Sequence, residues 1–298
     1  MSTRREVLDR LTSLRLHQQQ GRRAPHKPLL VLLALGRLAG TGSSELPWSE
    51  AQQGLSDLIA EFGPASRTGR AQSAAYPFTR LRSDGVWTLS RDVPMDLVGP
   101  LSAHDVSGRF AESVEAALRG DPELLRSVAR ALVESHFPPT IAPDVLVAAG
   151  LDADEILHAT APTAVAARRR RGGWRADILR AWDRQCAFCG YDGQLGHASV
   201  GVEAAHVRWF SHDGPDDPDN GLALCVLHHK LFDFGAVGLD GGMGITVSAA
   251  FTARTDVGRS VYDLHGRALR PRPGTPLPAP AHVDWHRREV FKGDALAA

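Results

Sequence analysis

Apolar positions recur at helical spacing at the start of the chain. Val7, Leu11 and Leu14 line one side of a segment whose other positions are largely Arg and Gln, a pattern that predicts an amphipathic helix. A basic loop follows, in which Pro25 and Pro28 bracket His26 and Lys27, and Pro28 can occupy the first turn of a buried helix over the apolar run 29–35. Ser49 to Gln52 has the form of a capping box, opening a helix that Gly63 and Pro64 stop near Phe62. Aromatic and β-branched residues over 76–81 and 86–89 flank Ser83-Asp84-Gly85 and predict a β-hairpin. Leu124, Leu125, Val128 and Leu132 form the stripe of a helix over 122–136, with Asp121 as N-cap and Pro138-Pro139 at its end. Residues 174–182 again read as a helix, and 238–251 as a Gly-rich turn followed by a strand. The five prolines of 270–280 predict an extended segment.

This mixture is an α+β class, and 298 residues exceed one ordinary domain. The break is expected at 161–173, where small residues, Arg168 to Arg171 and a Gly-Gly pair suit an exposed linker. Domains are therefore expected over 1–160 and 174–298. No run approaches the roughly 18 apolar residues of a membrane span, and residues 1–10 are polar and charged, unlike a signal peptide; the expected location is cytoplasmic, with no membrane partner.

A formal net charge of zero weakens a nucleic-acid reading, but the charge is segregated. Residues 1–30 carry seven Arg/Lys against two Asp/Glu, 168–188 seven against two, and 92–160 four against twelve. Two basic stretches could face phosphates; solvated faces are the plainer alternative.

All three cysteines sit in one short stretch as Cys186-x2-Cys189 and Cys225-x2-His228. Two knuckles carrying four soft or borderline ligands predict a closed, structural Zn²⁺ site that contributes folding energy; three unrelated buried thiols are the alternative. Between and after the knuckles come Glu203-Ala-Ala-His206, Asn220-Gly-Leu222 and His228-His229, the last running into Lys230-Leu-Phe-Asp-Phe-Gly235. In this order the motifs resemble the HNH (ββα-metal) endonuclease family in its McrA-like branch, closely over 174–240 and more loosely to 291.

The resemblance implies that 174–298 is a zinc-containing ββα-metal nuclease domain. It makes His206 the general base, Asn220 the group that orients its imidazole, and His229 a ligand of a catalytic Mg²⁺ or Mn²⁺. Phosphodiester hydrolysis needs such a set: a base for water, a cation for the extra charge on phosphate, and a group that orients the base. Neighbouring His228 and His229 at a helix start diverge by about 100°, so one can serve zinc and the other the phosphate. Many HNH enzymes have an acidic or His metal ligand immediately before the base; this chain has Ala205 there, with Glu203 and then Asp233 as candidate ligands, directly or through water, or alternatively as structural hydrogen-bonding carboxylates.

Arg22-Arg23-Ala-Pro-His26-Lys27-Pro-Leu-Leu30 and Tyr76-Pro77-Phe78-Thr-Arg80-Leu81 resemble the sulfur-binding domain fused to HNH modules in phosphorothioate-dependent type IV restriction endonucleases. This implies an enzyme that recognises phosphorothioate-modified double-stranded DNA and cuts it. Sulfur in place of a phosphate oxygen is larger and poorly hydrated, so an apolar notch at Tyr76 and Pro77 suits it. Arg23, His26 and Lys27 would clamp phosphates or base edges, and Arg22, Phe78 and Arg80 complete the expected DNA-binding set. Alternatively, Tyr76 and Phe78 are hairpin core and the basic loop is solvated. A nuclease directed at methylcytosine and a non-catalytic zinc-stabilised DNA-binding protein are the competing functions. One active site per chain against two strands implies a homodimer.

Overall fold

The structure, a computed structural model, describes residues 3–16, 24–64, 73–157 and 173–297. Two compact units emerge, Met1–Gly63 with Arg70–Ala167, and Pro64–Gly69 with Arg168–Ala298. Of the expected linker 161–173, all but Gly173 lies outside the described residues, as do Arg22 and Arg23.

The first unit contains α1 (Arg4–Thr12), α2 (His26–Thr41), β1 (Leu46–Pro47), α3 (Trp48–Phe62), α4 (Ala75–Arg80), β2 (Trp87–Leu89), α5 (Val98–Ala103), β3 (Ser107–Phe110), α6 (Glu112–Gly120), α7 (Pro122–His136), α8 (Ala142–Ala148) and α9 (Ala153–Leu157). Thr3 and Glu6 close a reciprocal capping box on α1, which buries Val7, Leu8 and Leu11. The helix ends before Leu14, so Leu8 takes the third apolar position. Leu29 to Leu32 are fully buried in α2, which explains an apolar run with no polar face. Asp121 caps α7, its side chain accepting from the Leu124 N–H. Two expectations differ. The N-cap of α3 is Pro47, which makes no side-chain cap; Ser49 lies inside the helix and its N–H donates 2.9 Å to Asp105 Oδ1, a cap supplied from a distant loop.

The second difference is the hairpin. Residues 75–80 are helical and lead into a 3-10 turn, Leu81–Asp84; only Trp87–Leu89 is a strand. It pairs with β3 through Trp87↔Phe110 in a sheet of order β1-β3-β2. Ala75, Phe78 and Leu81 are each fully buried, and this spacing of three is a helical face. Phe78 meets Trp48 edge-on at 5.1 Å and Trp87 at 5.8 Å. Gly108 of β3 lies beneath the Trp87 indole, where a Cβ would collide with the ring.

The second unit contains α10 (Trp174–Ala181), β4 (Gln194–Leu195), β5 (Ala198–Ser199), β6 (Val202–His206), β7 (Gly221–Cys225), α11 (Val226–Asp233), β8 (Val237–Leu239), β9 (Ile245–Val247), α12 (Asp256–Arg259) and α13 (Pro280–Glu289). Three antiparallel pairs form: β4 with β5, β6 with β7, and β8 with β9. The core gathers Trp174, Ile178 and Trp182 with Leu222, Leu224, Phe232, Val237 and Ile245. Among the described residues no helix is long and apolar enough to cross a membrane.

Candidate active site and metal centre

The centre of the second unit is a hairpin followed directly by a helix. β6 and β7 run in register from Val202↔Cys225 to His206↔Gly221, and α11 begins at the next residue. Side chains alternate along a strand, so His206 and Ala204 share one face of β6 while Glu203 and Ala205 share the other. Helix α10 covers the His206 side. Its Trp174 ring stacks on the imidazole at 3.7 Å and 12°, and Gly221, opposite His206, admits Ile178 where a Cβ would clash.

Cys186, Cys189, Cys225 and His228 bring one ligand atom each within 4.8 Å of one another. His228 Nδ1 lies 3.3 Å from both the Cys186 and Cys225 sulfurs. Hydrogen bonds from Cys189 and Cys225 hold the Cys186 thiol far below its ordinary range, while those with Cys186 and Cys189 push Cys225 up. Burial draws His228 down, but hydrogen bonds with Cys186 and Cys189 and their charge prevail and raise it to about 9. Three sulfurs and an imidazole nitrogen converging at this distance, with Cys186 and Cys225 buried, form a donor set suited to a tetrahedral cation and could bind zinc.

His229, the next residue on α11, points elsewhere. Its Nδ1 lies 2.8 Å from Glu203 Oε2 and its Nε2 3.3 Å from Asp233 Oδ2, one helical turn on. Trp209 Nε1 donates 2.9 Å to the other Asp233 oxygen. Burial disfavours charge on His229, but Asp233 and Glu203 outweigh it and lift the imidazole to about 9; the hydrogen bond with His229 in turn lowers Glu203. The two carboxylates meet opposite nitrogens of one imidazole, an arrangement that favours its charged form. Ala205 is fully buried opposite Leu222 and offers no ligand.

His206 and Asp216 are each 9% exposed, and the imidazole Nε2 lies 2.8 Å from Asp216 Oδ1. The expectation that Asn220 grips this imidazole is corrected. Asn220 is fully buried, and its amide is used on the backbone: Oδ1 accepts from Arg208 N at 2.8 Å, and Nδ2 donates to Arg208 O at 3.0 Å and Pro215 O at 2.9 Å. The loop between the two strands folds back on itself and needs a buried group to satisfy its peptides. His206 pairs with Asp216, and His229 with Glu203 and Asp233.

In the first unit, three expected DNA contacts lie together. Arg80 sits over the Tyr76 ring at 4.7 Å, His26 meets that ring edge-on at 6.4 Å, and Asp96 engages Arg80 through Nε and Nη2, the latter at 2.6 Å. The hydrogen bond to Asp96 raises the Arg80 guanidinium against the opposing effect of burial. Two others are corrected. Lys27 is 5% exposed, with Nζ 2.5 Å from Asp84 Oδ2 and 3.0 Å from Arg15 O, so its charge is neutralised internally. Phe78 is core. Pro77 is buried in the first turn of α4.

Sequence reasoning missed Asp216, Trp174 and Asp96. Asp216 stands among Asp213, Asp217 and Asp219, and nothing local marks it out; Trp174 reads simply as helix core.

Known proteins resemble both units. The family model of the ScoMcrA-like DNA sulfur-binding domain matches residues 4–154, and an HNH endonuclease model matches 186–240. The sulfur-binding domain of SprMcrA, solved with phosphorothioated DNA, is 21% identical over 50% of this chain and 95% of its own, with a TM-score of 0.42. ScoMcrA, a type IV phosphorothioation-dependent restriction endonuclease, is 14% identical over 77% of this chain and 94% of its own, with a TM-score of 0.39. The modification-dependent restriction endonuclease TagI is 22% identical over 47% of this chain, which spans 41% of TagI, with a TM-score of 0.32. No curated protein matches.

Proposed function

Because the chain belongs to the ScoMcrA-like DNA sulfur-binding family and carries an HNH endonuclease domain, we propose that it is a type IV restriction endonuclease that recognises phosphorothioate-modified double-stranded DNA and hydrolyses its phosphodiester bonds. The observation that carries this reading is the joining of those two matches in one chain. Residues 1–160 read the DNA, 161–173 connect, and 174–298 cut.

In the reader, Tyr76, His26 and Arg80 form the contact surface, with Arg22 and Arg23 adding charge toward the phosphates. The half-buried Tyr76 ring suits a soft, poorly hydrated sulfur better than an oxygen. In the nuclease, His206 takes the proton of the attacking water. Asn220 keeps the loop beside it in one conformation, and His229, with Glu203 and Asp233, would hold Mg²⁺ or Mn²⁺. That ion, when bound, stabilises charge on the phosphate and the leaving oxygen. Cys186, Cys189, Cys225 and His228 hold a structural Zn²⁺. The protein works in the cytoplasm, and two copies cut the two strands.

Matched duplexes carrying phosphorothioate, methylcytosine or neither, incubated with Mn²⁺ and with chelator, test the reading. Metal-dependent cutting confined to the sulfur duplex is expected. Equal cutting of all three removes the sulfur claim, and cutting of none removes the enzyme. Sedimentation of a monomer on DNA during cleavage would exclude the dimer.

A further inference from the structure

We infer that Asp216 is a positioning residue for the nuclease reaction: it holds the proton on His206 Nε2 and so makes Nδ1 the atom that accepts the proton of water. The inference rests on the reading of His206 as general base and says which nitrogen acts and why.

The geometry is a buried pair. Nε2 and Asp216 Oδ1 stand 2.8 Å apart, with side chains 9% and 8% exposed. An ionised carboxylate only accepts, so Nε2 donates and the neutral ring carries its lone pair on Nδ1. The ring plane is set separately by Trp174, whose face covers the imidazole and whose Nε1 donates 3.3 Å to Asp217 O. Asp216 is itself placed by Asn220, which accepts from Arg208 N just beyond the base and donates to Pro215 O just before Asp216. Asn220 therefore acts on the base at one remove, by fixing the loop that carries its partner.

The chemistry follows in balance. A water O–H bond breaks and its proton forms a bond to Nδ1. The resulting hydroxide attacks phosphorus, and the bond from phosphorus to the leaving oxygen breaks with its electron pair. The imidazolium so formed lies against the Asp216 carboxylate, which favours the charge created in the step.

Histidine-selective ¹⁵N labelling of the full-length chain, loaded with zinc and observed at alkaline pH, reads the tautomer directly, with the His206 signals identified by their loss in His206→Gln. An Nε2–H tautomer is expected, and an Nδ1–H tautomer would overturn the proposal whatever the variants do. Asp216→Asn should lower kcat by about 10²-fold with KM, DNA binding and zinc content unchanged, and Asp216→Glu should recover part of the loss. Wild-type kcat in a folded Asp216→Asn also overturns it. Should His206→Ala still cleave, the reading of His206 as the base fails instead, which separates the two claims.

Discussion

The two units hold their polar groups in opposite ways. In the first, the core is aromatic, with Trp48, Phe78, Trp87 and Phe110 almost fully buried, and charged side chains pair with one another, Lys27 with Asp84 inside and Arg80 with Asp96 nearer the surface. In the second, thiols, imidazoles and carboxylates enter the framework itself, at the junction where β7 turns into α11 and along the inner edge of β6. Among the described residues the first unit gathers no cluster of metal-ligating side chains. The second gathers a Cys3His set that could bind zinc, so a chelator should separate the two.

Metal removal is the strongest way to break the comparison. Structural zinc in small modules is worth on the order of 10 kcal/mol, so exhaustive chelation or Cys225→Ser should abolish the folded signal of Trp174 and Trp182 while the first unit's thermal transition persists. Loss of both transitions together would show that the units are not independent. Next in size is His206→Ala, expected to reduce cleavage by roughly 10²- to 10⁴-fold with DNA affinity and both transitions kept, as measured by gel cleavage and binding assays.

Lys27→Ala sharpens the other side. It leaves Asp84 buried without its cation and should cost about 3–5 kcal/mol in denaturant unfolding of the first unit; unchanged stability with lost DNA affinity would return Lys27 to the surface role expected from sequence. Arg80→Ala should weaken binding to sulfur-containing duplex by roughly tenfold, about 1.4 kcal/mol, with little change in kcat. The smallest effect concerns Glu115. Burial alone would raise this carboxyl, but hydrogen bonds from Ser44, Arg109 and Arg119 prevail and hold it below its ordinary 4.5. Its contribution is therefore complete above 4.5 and is lost as pH falls through the depressed value. Glu115→Gln should flatten the acid limb of the first unit's stability curve, and an unchanged limb would assign the acid sensitivity to other carboxyls.

Much of this molecule was legible before any coordinates. The stripe of 122–136, the stop at Gly63, the helix over 174–181 and the strand after the Gly-rich turn each depend on near neighbours, and each formed where its spacing placed it. The capping box at Ser49 and the hairpin over 76–89 did not. Asp105 replaced the first from a loop far along the chain. In the second, Ala75, Phe78 and Leu81 form a helical face whose period is hard to see beside Tyr76 and Thr79, which favour strands.

By itself the sequence determined what lies within a turn or two of the chain: the pairs Cys186-x2-Cys189 and Cys225-x2-His228, and the divergence of His228 from His229 on one helix. Residues that close in sequence have few ways to be far apart in space. Which carboxylate His206 meets, what Asn220 satisfies, and whether Lys27 faces solvent or an acid 57 residues away were decided only by the tertiary structure. Those choices depend on the path of a loop and the burial of a charge, and a buried charge takes whichever partner the packing brings to it.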